Sequence, residues 1–287
     1  HHEHRRQRQM CIRDSFEVKD PKNKILIIYN HGQDVLDAAE KNCIWQNGVR
    51  NVASLSGKKV KNKEVLVYNF CTDHLAGDDW KRLWKKKFDF PYNGITKLDK
   101  RVNANLDLIK KFEELGVPNN QIFIQGQSCG GLVTMMFMSK YPGKVAGGIS
   151  TNPACYGNLS YKYKVKKIGV EKALEKFKKK LPGPAYFREK QIKDISKAKN
   201  LPVLVFTHPN DPYDGLLSDW VEKIPGVKRV IISQDYKINN KSCYMVGINN
   251  GERWKKQVKK NAHFLTEADC FQYYNPVILD YIASRLK

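Results

Sequence analysis

The first feature of this sequence that could do chemistry is a serine with a glycine two places away on either side. It lies in Ile122-Phe123-Ile124-Gln125-Gly126-Gln127-Ser128-Cys129-Gly130-Gly131, where Gly-x-Ser-x-Gly follows an apolar run and opens an apolar stretch with no strand alternation. A nucleophile on a sharp strand-to-helix turn needs small neighbours, because its own backbone is strained and the following helix packs close to the strand. Gly126 and Gly130 would supply that room. Ser128 at a helix N-terminus would also find negative charge favoured beside it.

A serine hydroxyl is a weak nucleophile and needs a base, which in turn is held by an acid. Four histidines lie beyond the first fifteen residues: His31, His74, His208 and His263. His263, in Asn261-Ala262-His263-Phe264, falls between the last expected strand and the final helix, and is the base expected here. Asp211 closes Thr207-His208-Pro209-Asn210-Asp211, just past an apolar run, and is the expected acid. Asp214, three residues on, is its rival. Parallel strands present their C-terminal ends together, so these loops should share one sheet edge with Ser128.

An acyl-transfer oxyanion needs two N–H donors. Cys129, next after the serine, should give one. Gln33 should give the other, from the loop Tyr29-Asn30-His31-Gly32-Gln33, which His31 is expected to order without acting as a base. Cys129 could itself be acidified by a helix start. It stands one place off the turn, with its side chain expected on the packing side, and is set aside as nucleophile. Cys71-Thr72-Asp73-His74 reads as a pocket rim, in preference to a second Cys/His site or a metal.

These residues need elements to hold them. Apolar runs at 25–29, 65–70, 122–124, 145–149, 203–206 and 230–232 alternate with helical stretches, the pattern of an α/β chain with a largely parallel sheet. Helices are expected at 103–115, where Leu106, Ile109, Phe112 and Leu115 share a face, at 130–141, and at 274–286. Residues 156–200 are lysine-rich, helical over 170–181 and broken at Pro182-Gly183-Pro184. They read as a small cap inserted at about 156–200.

The formal charge is +22, mainly from lysines scattered along the whole chain in runs that usually form solvated faces. A backbone binder needs its charge in one stripe or groove, so no nucleic-acid partner is expected. Residues 10–15, Met-Cys-Ile-Arg-Asp-Ser, match one reading frame of a transposase adapter used in sequencing libraries. Residues 1–15 are therefore expected to be foreign, with the domain at 16–287. They carry four arginines against two acids, so without them the charge is +20. A signal peptide could then have been lost upstream. Six cysteines remain, without the close spacing of a zinc site. Cys243–Cys270 is the preferred disulfide, set against the reading that all are reduced core residues. It tilts the compartment toward periplasmic or secreted.

The pieces Asn30-His31-Gly32, Gly126 to Gly131, Asn210-Asp211 and Ala262-His263-Phe264 resemble the α/β-hydrolases, nearest the dienelactone-hydrolase-like and small-esterase branches, over roughly residues 24–287. The resemblance implies a mostly parallel sheet flanked by helices and the chain order Ser128, Asp211, His263. It also implies ester hydrolysis through an acyl-enzyme, with a small-molecule ester-type substrate and no metal or organic cofactor. A peptide or thioester would use the same groups. Dienelactone hydrolases carry cysteine where Ser128 stands, so their substrate is not implied. The first two strands of the fold are absent or reduced to residues 16–19. The rival reading is a non-catalytic relative that binds an anionic ligand or polymer. A dehalogenase-type relative would carry aspartate in place of Ser128.

Overall fold

A computed structural model of the chain describes residues 17–32, 47–72, 95–232, 237–238, 241–242, 244–249, 252–257, 262–263, 265–267 and 271–286. β1 (Lys24–Asn30) is apolar along most of its length and buried from Ile25 onward, as a strand covered on both faces must be. α1 (Asn47–Ala53) follows, then the short β2 (Lys59–Val60), which turns back through Lys61 and Asn62 into β3 (Lys63–Phe70). Both turn residues have positive φ (47° and 61°), the geometry of a tight two-residue hairpin. α2 (Lys97–Glu114) starts at a capping box. Thr96 Oγ1 accepts from the Asp99 N–H, and Asp99 Oδ2 accepts from the Thr96 N–H.

β4 (Ile122–Gln127) runs directly into α3 (Cys129–Lys140), and β5 (Gly147–Thr151) follows. Four helices come next in series: α4 (Leu159–Lys162), α5 (Val165–Ile168), α6 (Val170–Lys180) and α7 (Pro182–Ser196). β6 (Val203–Thr207) and β7 (Val227–Ile231) complete the sheet. Beyond it lie the short β8 (Lys237–Ile238) and β9 (Lys241–Ser242), the hairpin of β10 (Tyr244–Asn249) with β11 (Glu252–Gln257), and α8 (Asn275–Arg285).

Among the described residues seven strands form one sheet in the order β2-β3-β1-β4-β5-β6-β7, parallel except for β2. Strand alternation sorts its two faces. Leu26 and Ile28 of β1 join the apolar cluster beneath α2, α3, α6 and α7, while Ile25, Ile27 and Tyr29 join the cluster beneath α1 and α8. This is the α/β-hydrolase fold, a mostly parallel sheet between helical layers.

Each of the six apolar runs falls on a strand, with shifted ends. The run at 145–149 becomes strand only from Gly147, and the last strand starts at Val227. Its Lys228 and Arg229 are tolerated because β7 closes the order at one edge. Residues 17–19 form no strand. The proline-rich break is the first turn of α7: Pro182 sits where a helix N–H would lack a partner anyway. Within 156–200, Ala173, Phe177, Ala185, Phe187 and Ile195 are buried in the same cluster as the side chains of α3. No described helix is long and apolar enough to cross a membrane.

Candidate active site

Ser128 occupies the single residue between β4 and α3, at φ 58° and ψ −122°. A non-glycine residue held there stores roughly 1–3 kcal/mol of backbone strain, which the surroundings must impose. They do so through contact. A Cβ on Gly130 would stand 2.1 Å from the Asn30 carbonyl oxygen and 2.4 Å from that of His31. A Cβ on Gly126 would stand 2.3 Å from the Gly130 carbonyl carbon. The helix start is thus pressed onto β1 and β4 with no space for a side chain. The Ser128 N–H donates to the Thr151 carbonyl at 2.9 Å, locking the turn to the end of β5.

Three buried side chains meet there. His263 Nε2 is 2.7 Å from Ser128 Oγ, and His263 Nδ1 is 3.0 Å from Asp211 Oδ1. With Nδ1–H donating to the carboxylate, Nε2 offers its lone pair to the serine hydroxyl. Ala154 O, at 3.1 Å, is a second acceptor for that hydroxyl. The Tyr213 ring lies against the imidazole, centroids 3.7 Å apart and planes 21° from parallel.

Each partner has its own fastening. The His263 carbonyl accepts from Gln127 Nε2 at 2.9 Å and from Asn152 Nδ2 at 2.9 Å, and Asn152 also donates to the Ala262 carbonyl at 2.7 Å. The acid loop is closed by His208, whose Nδ1 accepts from the Asn210 N–H at 2.9 Å and whose carbonyl accepts from the Asp211 N–H at 3.0 Å. From outside, the Ser160 and Tyr161 N–H groups donate to the Tyr213 and Pro212 carbonyls at 2.6 and 2.9 Å. Asp211 Oδ1 further accepts from the Tyr213 N–H at 2.8 Å. Asp214, the rival acid, faces Arg188 instead, 2.9 Å from its Nη2. Burial pushes the Asp214 carboxyl up, and the Arg188 guanidinium opposes that shift.

The loop after β1 is ordered by buried polar groups. His31 Nε2 accepts from the Thr72 N–H at 3.0 Å, so the proton sits on Nδ1 and is donated to the Gly32 carbonyl at 2.8 Å. With both nitrogens so engaged, His31 orders the loop. Arg101, fully buried, donates from Nη2 to the His31 carbonyl at 2.6 Å. Asn30 and Asn105 exchange amide hydrogen bonds at 3.0 and 2.8 Å. Gly32 comes close enough to the serine that a Cβ there would stand 3.4 Å from Ser128 Cβ. Gln33 lies outside the described residues.

Cys129 is joined in a disulfide to Cys155, so the sulfur beside Ser128 is not a thiol. Cys71 is disulfide-bonded as well. Both findings depart from the reading of reduced core cysteines, and Cys243–Cys270 falls outside the described residues. Of the Cys71 to His74 stretch, Thr72 serves His31, while residues 73–74 are outside the described set. Among the described residues no group of three or more His, Cys, Asp or Glu side chains is placed to hold a metal ion. Sequence reasoning missed Arg101, Asn105, Gln127, Asn152, Tyr213 and Arg188. Gln127 alone stood inside the motif, and its amide beside the serine was the one available signal.

The family model for serine aminopeptidases, S33, matches residues 95–212, a span that takes in Ser128 and Asp211 and ends before His263. Among solved structures the chain is similar to Est1E from Butyrivibrio proteoclasticus, at 14% identity over 93% of this chain and 89% of that one, with a TM-score of 0.44. It is similar also to an esterase from Pyrobaculum calidifontis, at 18% identity over 93% and 78% with a TM-score of 0.47. A fungal esterase from Rhizomucor miehei aligns at 12% identity over 94% and 78%, with a TM-score of 0.49. The strand order and the serine turn of the chain itself carry the fold. No curated protein matches the chain in sequence.

Proposed function

We propose that this chain, a member of the α/β-hydrolase superfamily, is a serine hydrolase that cleaves an ester-type acyl bond through an acyl-enzyme. The observation that carries the reading is the unbroken hydrogen-bonded series from Ser128 Oγ through His263 to Asp211, on a strained strand-to-helix turn. In this reading Ser128 attacks the acyl carbon while His263 Nε2 takes its proton, and Asp211 stabilises the imidazolium that results. The Tyr213 ring, stacked on the imidazole, would help keep its plane in line with Ser128 and Asp211. The tetrahedral oxyanion is held by the Cys129 N–H and by one from the loop after β1, for which Gln33 is the proposed donor. His263 then returns the proton to the leaving group, and water repeats the sequence to free the acid.

A carboxylester small enough to enter is the proposed substrate; a peptide or thioester would use the same groups. The helices at 156–200 are proposed to wall the acyl pocket as a small cap, fastened to the acid loop at Ser160 and Tyr161. The Cys129–Cys155 disulfide supports a periplasmic or extracellular place of work. The competing reading, a non-catalytic binder of anionic ligands, has no use for a strained serine with an aligned base.

Labelling with a fluorophosphonate decides between them. Wild type should label, and Ser128→Ala and His263→Ala should not. A folded wild-type protein that never labels sinks the hydrolase reading.

A further inference from the structure

Ser128 and Ala154 are coupled twice without any side chain of the acid or the base. The Ala154 N–H donates to the Ser128 carbonyl at 3.3 Å, and the Ser128 hydroxyl reaches the Ala154 carbonyl at 3.1 Å. The residue after each member of that pair is a cysteine, and the two are bonded: Cys129 to Cys155, with Cα atoms 4.5 Å apart and both side chains buried. The covalent link therefore ties the start of α3 to the segment that leaves β5.

Both ends of this tie bear on the reaction. Cys129 carries the N–H that opens α3, and N–H groups in the first turn of a helix point out of its start, toward an anion placed there. The other end, 152–156, carries Asn152, which holds the His263 loop, and Ala154, which faces the serine hydroxyl. Asn152 itself sits at φ 43°, a left-handed backbone that the neighbourhood must sustain. Beside the tie, the hydrogen bonds that hold the segment to the serine turn are those between Ser128 and Ala154, at 3.1 and 3.3 Å, and the Ser128 N–H on the Thr151 carbonyl at 2.9 Å.

We infer that the Cys129–Cys155 disulfide is a positioning element of the active site: it fixes the oxyanion N–H of Cys129 and the His263-holding segment relative to Ser128. Cys155 touches no reacting atom and acts through these groups. The inference rests on the serine-hydrolase reading above. It carries a chemical consequence. A dithiol that reduces this bond adds two electrons and two protons, leaving two cysteine thiols and the dithiol's own disulfide, and should slow acyl transfer until reoxidation.

Cys155→Ala and Cys129→Ala test it, because each cuts the tie while every backbone N–H remains. Steady-state kinetics on a p-nitrophenyl ester should show kcat reduced about 10–100-fold, the scale expected when reacting groups lose about an ångström of alignment, with KM changed far less. Inhibition by a boronic acid, which forms the tetrahedral adduct, should weaken in parallel with kcat/KM, while inhibition by the product acid should not. A role in stability alone would lower Tm and leave kcat and boronate affinity at wild-type values below the melting range; that result overturns the inference. If neither variant folds, wild type titrated with dithiothreitol and mapped by alkylation and mass spectrometry serves instead. Activity should fall with opening of Cys129–Cys155 and return on oxidation, and activity that survives its opening overturns the proposal. A wild-type enzyme inert to both ester and fluorophosphonate would be a failure of the hydrolase reading instead.

Discussion

The serine turn and the loops that bring its partners are held by different physics. Around Ser128 the restraint is excluded volume: Gly126 and Gly130 let a helix start lie against two strands, and Ser128 has no alternative backbone shape. Around His263, Asp211 and the loop after β1 the restraint is polar. Buried amides and a guanidinium satisfy carbonyls that would otherwise be stranded away from water. Contact of the first kind fails all at once when an atom is added. Polar restraint loosens one hydrogen bond at a time.

Substitutions should expose that contrast, beginning with the largest effect. Gly130→Ala puts a methyl 2.1 Å from a strand carbonyl, and nothing there is a flexible side-chain end that could move aside. It should cost more than about 4 kcal/mol, beyond the ordinary range for one residue, and be seen as loss of soluble protein or a collapsed Tm. A tolerated Gly130→Ala would erase the contrast.

Arg188→Met comes next, since it strands the buried Asp214 carboxylate without its cation. Breaking such a pair typically costs about 3–5 kcal/mol near neutral pH. Burial already pushes the Asp214 carboxyl up and Arg188 opposes it, so the variant's folded-state pKa should rise further above the unfolded value. A folded pKa above the unfolded one means the loss is relieved as pH falls through it. Denaturant melts should therefore show the gap to wild type narrowing in acid, and a gap independent of pH would disprove this account.

On the polar side, Arg101→Met should leave a folded protein whose kcat falls about 10–100-fold, because the His31 carbonyl loses its donor and the loop proposed to hold the oxyanion drifts. Unchanged kcat would show that this loop needs no such anchor. Asn152→Ala should be the mildest. Gln127 still serves the His263 carbonyl, so the cost is about 1–2 kcal/mol for one unpaired acceptor at Ala262, read as a shift in denaturant midpoint.

The same contrast marks what could be read from the sequence. The glycines flanking Ser128 and the strand and helix around it are local, so they are visible in ten consecutive residues. The polar anchors are not local. Asn30 meets Asn105 across 75 positions, and Asn152 meets Ala262 across 110. An asparagine in a sequence carries no mark of the carbonyl it will meet. Asp211 and Asp214 look alike for the same reason, and only the fold turns one to His263 and the other to Arg188. The disulfide had no signature spacing, its cysteines standing 26 residues apart. The hairpin of β10 and β11 did have a signal: Asn249 pairs with Glu252 across Asn250-Gly251, a dipeptide that favours a two-residue turn.

Of the three groups at the candidate site His263 comes last along the chain, and its loop is docked by amides that belong to earlier elements: Gln127 at the end of β4 and Asn152 just beyond β5. Both amides are fixed by strands of the central sheet, so His263 can be docked only onto a sheet that has already formed. A strained serine without its base is only an alcohol. In the serine-hydrolase reading, what arms the site is therefore the closing of one loop onto two waiting side chains.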